Sequence, residues 1–256
     1  MKFKANSGNE IELIVVEDHE ATAKPCADFI EKVIRQAADS VASICFSTGS
    51  SPIPVYRELV RRHREEGLSF SNVHAFLLDE YVGLPVGHAQ CFRTYMQNNL
   101  FRHVDIRTEN MHLFFGPQED HMQTCFRYER EIKDVGGMSL MILGIGPNGH
   151  IAFNEPGVLP DSRTRMIKLT ESTRRANARF FNSIDEVPTH ALSVGIANIL
   201  EADKVLLIAT GESKIDAVRR AFADPVDNQV PASHLQNFTG ELAVVTDKAA
   251  VSGLNL

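Results

Sequence analysis

The 256-residue chain carries 26 Lys and Arg against 33 Asp and Glu, a formal net charge of −7. That balance excludes a general affinity for nucleic acid or anionic lipid and leaves room for a local basic pocket holding one small anion. No apolar run approaches the roughly 18 residues of a membrane span, and MKFKANSGNEIELIVVED holds no apolar region of signal-peptide length. With Cys26, Cys45, Cys91 and Cys125 well separated and in no CxxC pair, reduced thiols in a cytoplasmic protein are expected.

In chain order, the apolar run IELIVV starting at Ile11 predicts the first strand, and CADFIEKVIRQAADSV from Cys26 has helical spacing. VASICFS predicts a strand that leaves through FSTGSSP, Phe46 to Pro52, into a helix beginning near Pro54. Small hydroxyl residues and a glycine at a helix N-terminus suit a phosphate; an ordinary Ser/Thr N-cap before proline explains Ser50 to Pro54 equally well. VHAFLL then runs straight into Asp79 and Glu80, so at least one carboxylate is expected at the sheet edge, where burial raises its pKa toward that of a useful base. Glu80 taken alone is expected in a solvated turn. Next come LMILGIG, KVLLIAT with Lys214 at the start of the helix SKIDAVRRAFADP, and finally ELAVVT. Apolar strands alternating with amphipathic helices predict an α/β fold: a single doubly wound, Rossmann-like domain over residues 1–256, with a mainly parallel sheet flanked by helices. Ligands in such folds sit at the carboxyl ends of the strands.

The motif GxGxxG occurs at Gly144, Gly146 and Gly149. A dinucleotide fingerprint opens a continuous helix at once, but Pro156 and Gly157 interrupt this segment and no strand ending in an acidic residue follows at the expected distance. The glycines supply close backbone approach in a loop that also carries Asn148, His150, Asn154 and Glu155. His150 and Glu155, five apart, can meet in a loop where a carboxylate sets an imidazole's tautomer for proton transfer; a lone loop histidine beside an exposed glutamate fits the same letters. No HExxH or Cys/His cluster suggests a metal.

Six ordered motifs, STGSSP, LLDEYVGLP, GIGPNGHIAFNEPG, SRTR, TRRANARFF and ATGESK, span nearly the whole chain. Together they closely resemble the glucosamine-6-phosphate deaminase family. The resemblance implies a cofactor-free and metal-free conversion of glucosamine 6-phosphate and water to fructose 6-phosphate and ammonia. It implies His150 as the ring-opening histidine, oriented by Glu155, with Asn148 beside it and Asp79 as the base that moves a proton from C2 to C1. Ser47, Thr48, Gly49, Ser50, Arg179 and Lys214 would bind the phosphate. Many members carry Asp where this chain has Asn148, so His150 is expected to be less basic than in those members. The arginine of the family's N-acetylglucosamine 6-phosphate effector site is matched by Arg165, but Ile167 stands at its lysine position and no tyrosine follows Tyr128; weak or absent allostery is expected. A homo-oligomer is compatible with the resemblance. Competing readings are a 6-phosphogluconolactonase-like hydrolase, disfavoured by DEYVGLP and AFNEPG, and a non-catalytic phosphosugar sensor, disfavoured because the first strand near Ile11 leaves no room for a preceding DNA-binding module.

Overall fold

The computed structural model describes residues 1–37, 40–114 and 120–254. Its strands are β1 (Lys2–Lys4), β2 (Glu10–Val16), β3 (Ala42–Phe46), β4 (Val73–Leu77), β5 (Asp79–Tyr81), β6 (Met111–His112), β7 (Leu140–Gly144), β8 (Arg165–Lys168), β9 (His190–Ser193), β10 (Lys204–Ala209) and β11 (Glu241–Asp247). The helices are α1 (Ala23–Gln36), α2 (Ile53–Glu66), α3 (Phe92–Asn99), α4 (His121–Asp134), α5 (Glu171–Asn177), α6 (Ile196–Leu200), α7 (Ile215–Phe222) and α8 (Lys248–Val251).

Eight strands form one sheet in the order β1-β2-β11-β10-β7-β3-β4-β6. Only the β1–β2 pair is antiparallel. The central strands β3, β7 and β10 are apolar at most positions because both of their faces are covered. Leu140, Ile142, Leu206 and Ile208 face the side packed by α1, α2 and α3, whereas Met141, Leu143, Val205 and Leu207 face the side packed by α4, α6 and α7. The doubly wound expectation is therefore met. From β3 the chain proceeds outward through β4 and β6, then returns to β7 on the other side of β3 and continues to β10 and β11. The order reverses between β3 and β7, and a ligand crevice belongs outside the carboxyl ends of those two strands.

Two features depart from the sequence expectation. A short strand, β1, precedes the one expected near Ile11. A second, antiparallel sheet, β5-β9-β8, adjoins the carboxyl end of β4, with Asp79 opposite Ser193 and Ser193 opposite Arg165. Its strands are three or four residues long and β5 begins with two acids, a composition with little strand propensity of its own. Among the described residues no helix is long and apolar enough to cross a membrane, and all four cysteines are free and buried.

Candidate active site

The loops after β3, β4, β7 and β10 leave neighbouring strands at one edge of the sheet. After β7, Gly144 to His150 makes a tight turn in which Gly146 N–H donates to the His150 carbonyl and Gly149 N–H to the Gly146 carbonyl, both at 2.9 Å. A Cβ on Gly146 would lie 2.1 Å from Cε1 of His150 and 2.3 Å from its Nδ1. At Gly146 the close approach expected of the glycine motif is made by the chain's own imidazole. Gly149 meets a second demand, a φ of 85°, which favours glycine. No helix follows the motif before β8.

Glu155 is an acceptor when ionised, so the Asn148 amide presents its NH2 to Glu155 Oε2, at 2.8 Å. That orientation leaves Asn148 Oδ1 facing His150 Nδ1 at 2.7 Å, which assigns the ring proton to Nδ1 and leaves Nε2 with a free lone pair. The direct His150 Nδ1 to Glu155 Oε2 separation is 3.9 Å, so the carboxylate acts on the ring through Asn148 and through space. Burial pushes the His150 pKa down, the Glu155 charge opposes this, and Lys214 adds to the depression. The leading cause of this lowered basicity is burial. Thr173, in α5, donates its hydroxyl to Glu155 Oε1. Thr173 lies within TRRANARFF, and nothing in a spacing of 18 residues pairs it with Glu155 in the sequence.

Asp79 follows β4 and is 8% exposed. Burial, then the neighbouring Glu80 charge, raise its pKa to about 8. Glu80 is not in the solvated turn expected of it. It is buried and accepts from the backbone N–H groups of Tyr81 (2.9 Å), Phe92 (3.0 Å) and Arg93 (2.9 Å). Cys91 at the N-cap of α3 gives the helix no side-chain cap, and the Glu80 carboxylate takes that place from a distance in sequence. Burial still raises the Glu80 pKa against the pull of those three donors. The Asp79 and His150 loops share a support: Val194 N–H donates to the Leu78 carbonyl at 2.8 Å, its carbonyl accepts from Asn154 Nδ2 at 2.9 Å, and Ser193 Oγ accepts from Phe153 N–H at 3.1 Å.

The loop after β3 is braced from below and beside. Tyr56 donates to the Ser47 carbonyl, and Tyr95 to the Gly49 carbonyl at 2.6 Å. Ser47 Oγ is buried with no hydrogen-bond partner among the described residues; Thr48 is half-buried, and Gly49 (φ 89°) and Ser50 are exposed. The N-cap of α2 is Pro52, without a side-chain cap, so the ordinary Ser/Thr N-cap is not what this loop builds. Lys214 Nζ crosses to the Ile145 carbonyl at 2.6 Å, tying the loop after β10 to the loop after β7. Burial and the Arg179 charge lower its pKa. Among the described residues neither Arg179 nor Lys214 forms an ion pair. Two cations held within each other's field without a carboxylate make a place that an anion stabilises. No group of three or more His, Cys, Asp or Glu among the described residues is arranged to hold a metal ion.

The family model described as glucosamine-6-phosphate isomerases/6-phosphogluconolactonase matches residues 17–244. A glucosamine-6-phosphate deaminase of Giardia intestinalis is 51% identical over 216 residues, covering 82% of this chain and 81% of that protein. One from Rhodopirellula baltica is 46% identical over 247 residues, covering 96% and 97%. The chain belongs to the glucosamine-6-phosphate deaminase family. A solved structure of a monomeric glucosamine-6-phosphate deaminase superposes with a TM-score of 0.91 at 36% identity, over 95% of this chain and 100% of that one. The 6-phosphogluconolactonase of Trypanosoma cruzi superposes at 0.78 with 18% identity over 96% and 97%; it shares the fold. Against that deaminase-family background, the residues that composition and spacing did not single out are the supporting ones: Thr173, Tyr56, Tyr95 and Ser193.

Proposed function

We propose that the chain converts glucosamine 6-phosphate and water to fructose 6-phosphate and ammonia, in a cytoplasmic compartment that keeps its thiols reduced. The observation that carries this reading is a buried carboxylate, Asp79, at the same sheet edge as a hydrogen-bonded His150–Asn148–Glu155 chain. A lactone hydrolase needs a base for water; it has no use for a second, desolvated base at C2.

The substrate phosphate lies against Ser47, Thr48, Gly49 and Ser50, drawn by Arg179 and Lys214. His150, with Nε2 free, takes the proton of the C1 hydroxyl and returns it to the ring oxygen as the C1–O5 bond breaks. Asp79 then removes the proton from C2 of the open aldose and delivers it to C1. The resulting C2 imine adds water, and the carbinolamine collapses with loss of ammonia to leave the C2 ketone. Asn148 and Glu155 keep Nδ1 protonated throughout, so the base stays on the substrate side.

Asp79→Asn tests the assignment. Exchange of the C2 proton with solvent and release of ammonia should both disappear, while phosphosugar affinity, measured by calorimetry, stays near that of the parent protein. An Asp79→Asn variant that turns over normally removes Asp79 from the mechanism.

A further inference from the structure

The loop that carries Asn148, His150 and Glu155 is gripped at two points by one other segment. Ala232 N–H donates to the Gly149 carbonyl at 2.9 Å, and Gly157 N–H donates to the Asn228 carbonyl at 2.8 Å. The first bond fixes the peptide group that leads directly into the His150 Cα. The second lies two residues beyond Glu155. Val230, between the two gripping residues, packs on the bare Cα of Gly149, where a Cβ would come within 2.7 Å of Val230 Cγ1. The histidine and its carboxylate are therefore bracketed by contacts to residues 228–232.

That segment follows α7 and enters the short helical turn Pro231–Asn237. Much of its shape comes from Ser233. The Ser233 side chain is fully buried, and its Oγ accepts from Asp227 N–H at 2.9 Å while donating to the Asp227 carbonyl at 3.0 Å. These two bonds close residues 227–233 into a ring. Within it, Val230 N–H donates to the Asp227 carbonyl at 2.8 Å, Ser233 N–H to the Val230 carbonyl at 2.7 Å, and Gln229 N–H to Asp227 Oδ1 at 2.8 Å. Just beyond, Gln236 Nε2 donates to the Ala221 and Asp224 carbonyls at 2.9 and 2.8 Å, anchoring the ring to the end of α7. We infer that Ser233 is a positioning residue for the reaction: by closing this ring, its hydroxyl holds the Ala232 and Asn228 backbone groups where they fix the His150 imidazole against Asn148 and Glu155. This inference rests on the deaminase reading of the site. The relay spans residues 148–155 and the gripped points are Gly149 and Gly157, so loosening the ring lets the imidazole turn away from Asn148. A reacting group tolerates little such displacement.

The test compares Ser233→Ala with Ser43→Ala. Ser43 is also buried, and its Oγ donates to the Gly137 carbonyl at 2.7 Å and accepts from Ser139 N–H at 2.9 Å, but at the amino ends of β3 and β7, away from the site. Both variants should melt below the parent protein, since each loses buried hydrogen bonds. Only Ser233→Ala should lose kcat with glucosamine 6-phosphate, about 10- to 100-fold, the scale of a misplacement of about an ångström at a reacting group, with KM unchanged within about twofold. The second readout needs no turnover. In protein carrying isotope-labelled histidine, nitrogen NMR reports the tautomer of His150, whose signals are those lost in His150→Gln. With the ring neutral, His150 should carry its proton on Nδ1 in the parent protein and in Ser43→Ala, and should be a mixture of both tautomers in Ser233→Ala. Asp227→Ala, at an exposed position of the same ring, repeats both measurements if Ser233→Ala does not fold, with a smaller loss in the same direction. An unchanged kcat in Ser233→Ala, a loss of kcat that Ser43→Ala shares, or a His150 tautomer that Ser233→Ala leaves untouched overturns the inference. A parent protein that releases no ammonia from glucosamine 6-phosphate overturns the deaminase reading instead, and the tautomer comparison then still decides whether Ser233 holds the imidazole.

Discussion

His150 lies across the Cα of Gly146, and this contact makes the simplest residue-level prediction. Adding a methyl group there requires the imidazole to move by more than an ångström, and displacements of that size at a reacting group cost about 100-fold in rate. Gly146→Ala should lose kcat by roughly that factor and keep its KM. Gly144→Ala is the control, since a Cβ there meets nothing within 4 Å; its steady-state kinetics should match the parent protein, and a comparable loss would mean the loop tolerates no side chain anywhere. Asp79 makes the second prediction. Its pKa of about 8 exceeds the unfolded value of about 4, so the folded state binds the extra proton between those limits. The associated stability is present below about pH 4 and is lost as pH rises through 8. Asp79→Asn escapes that loss, and the melting temperature of the variant relative to the parent protein should increase from pH 5 to pH 9. For the free enzyme kcat/KM should rise with pH toward a limb near 8, where the base becomes ionised; an identical melting difference at both pH values would show that Asp79 does not carry the proton.

At the scale of elements, Glu80 fastens β5 to α3 across the loop between them. Replacing it by Gln keeps the shape, removes the charge from the helix N-terminus, and should cost about 1–3 kcal/mol of stability, the range for weakening bonds to a buried ionised acceptor. Because the Glu80 charge is one of the two causes raising the Asp79 pKa, the kcat/KM limb of Glu80→Gln should move to lower pH. Denaturant melts and a pH–rate profile check both effects, and a limb that stays in place would assign the Asp79 shift to burial alone. The letters DE carried the placement of Asp79, since an acid following a buried apolar strand is delivered to the sheet edge. They did not carry the burial of Glu80, which depends on N–H groups supplied by Phe92 and Arg93. Five of the six main apolar runs were legible as strands because both faces are largely buried, and β2 because its buried and exposed positions alternate. The β5-β9-β8 sheet was not, because strands that short take their conformation from the neighbours they pair with rather than from a repeating pattern.

At the scale of the whole molecule, an acidic chain leaves Arg179 and Lys214 within each other's field while many surface cations are occupied. Arg61, for example, is held by Glu58, Glu65 and Glu66. A phosphate site built on Arg179 and Lys214 would stand against a repulsive background, which favours a small dianion over a polyanion. The same reasoning bears on regulation. Arg165 in β8 is engaged with the Arg163 carbonyl and Asn154 Oδ1, both at 3.1 Å. Ile167, two residues along the same strand, packs on the cluster of Tyr81, Phe153, Leu169 and Ala191. A phosphorylated effector arriving there meets one cation already bonded to the protein and an apolar neighbour where a second cation would be needed. Losing a charged hydrogen bond of about 1.5–3 kcal/mol weakens binding by roughly one to two orders of magnitude. N-acetylglucosamine 6-phosphate at millimolar concentration should leave both the apparent KM for glucosamine 6-phosphate and the Hill coefficient unchanged in initial-rate assays. A fall in apparent KM on adding the effector would mean that Arg165 suffices without a lysine, and Ile167 would then have no bearing on control.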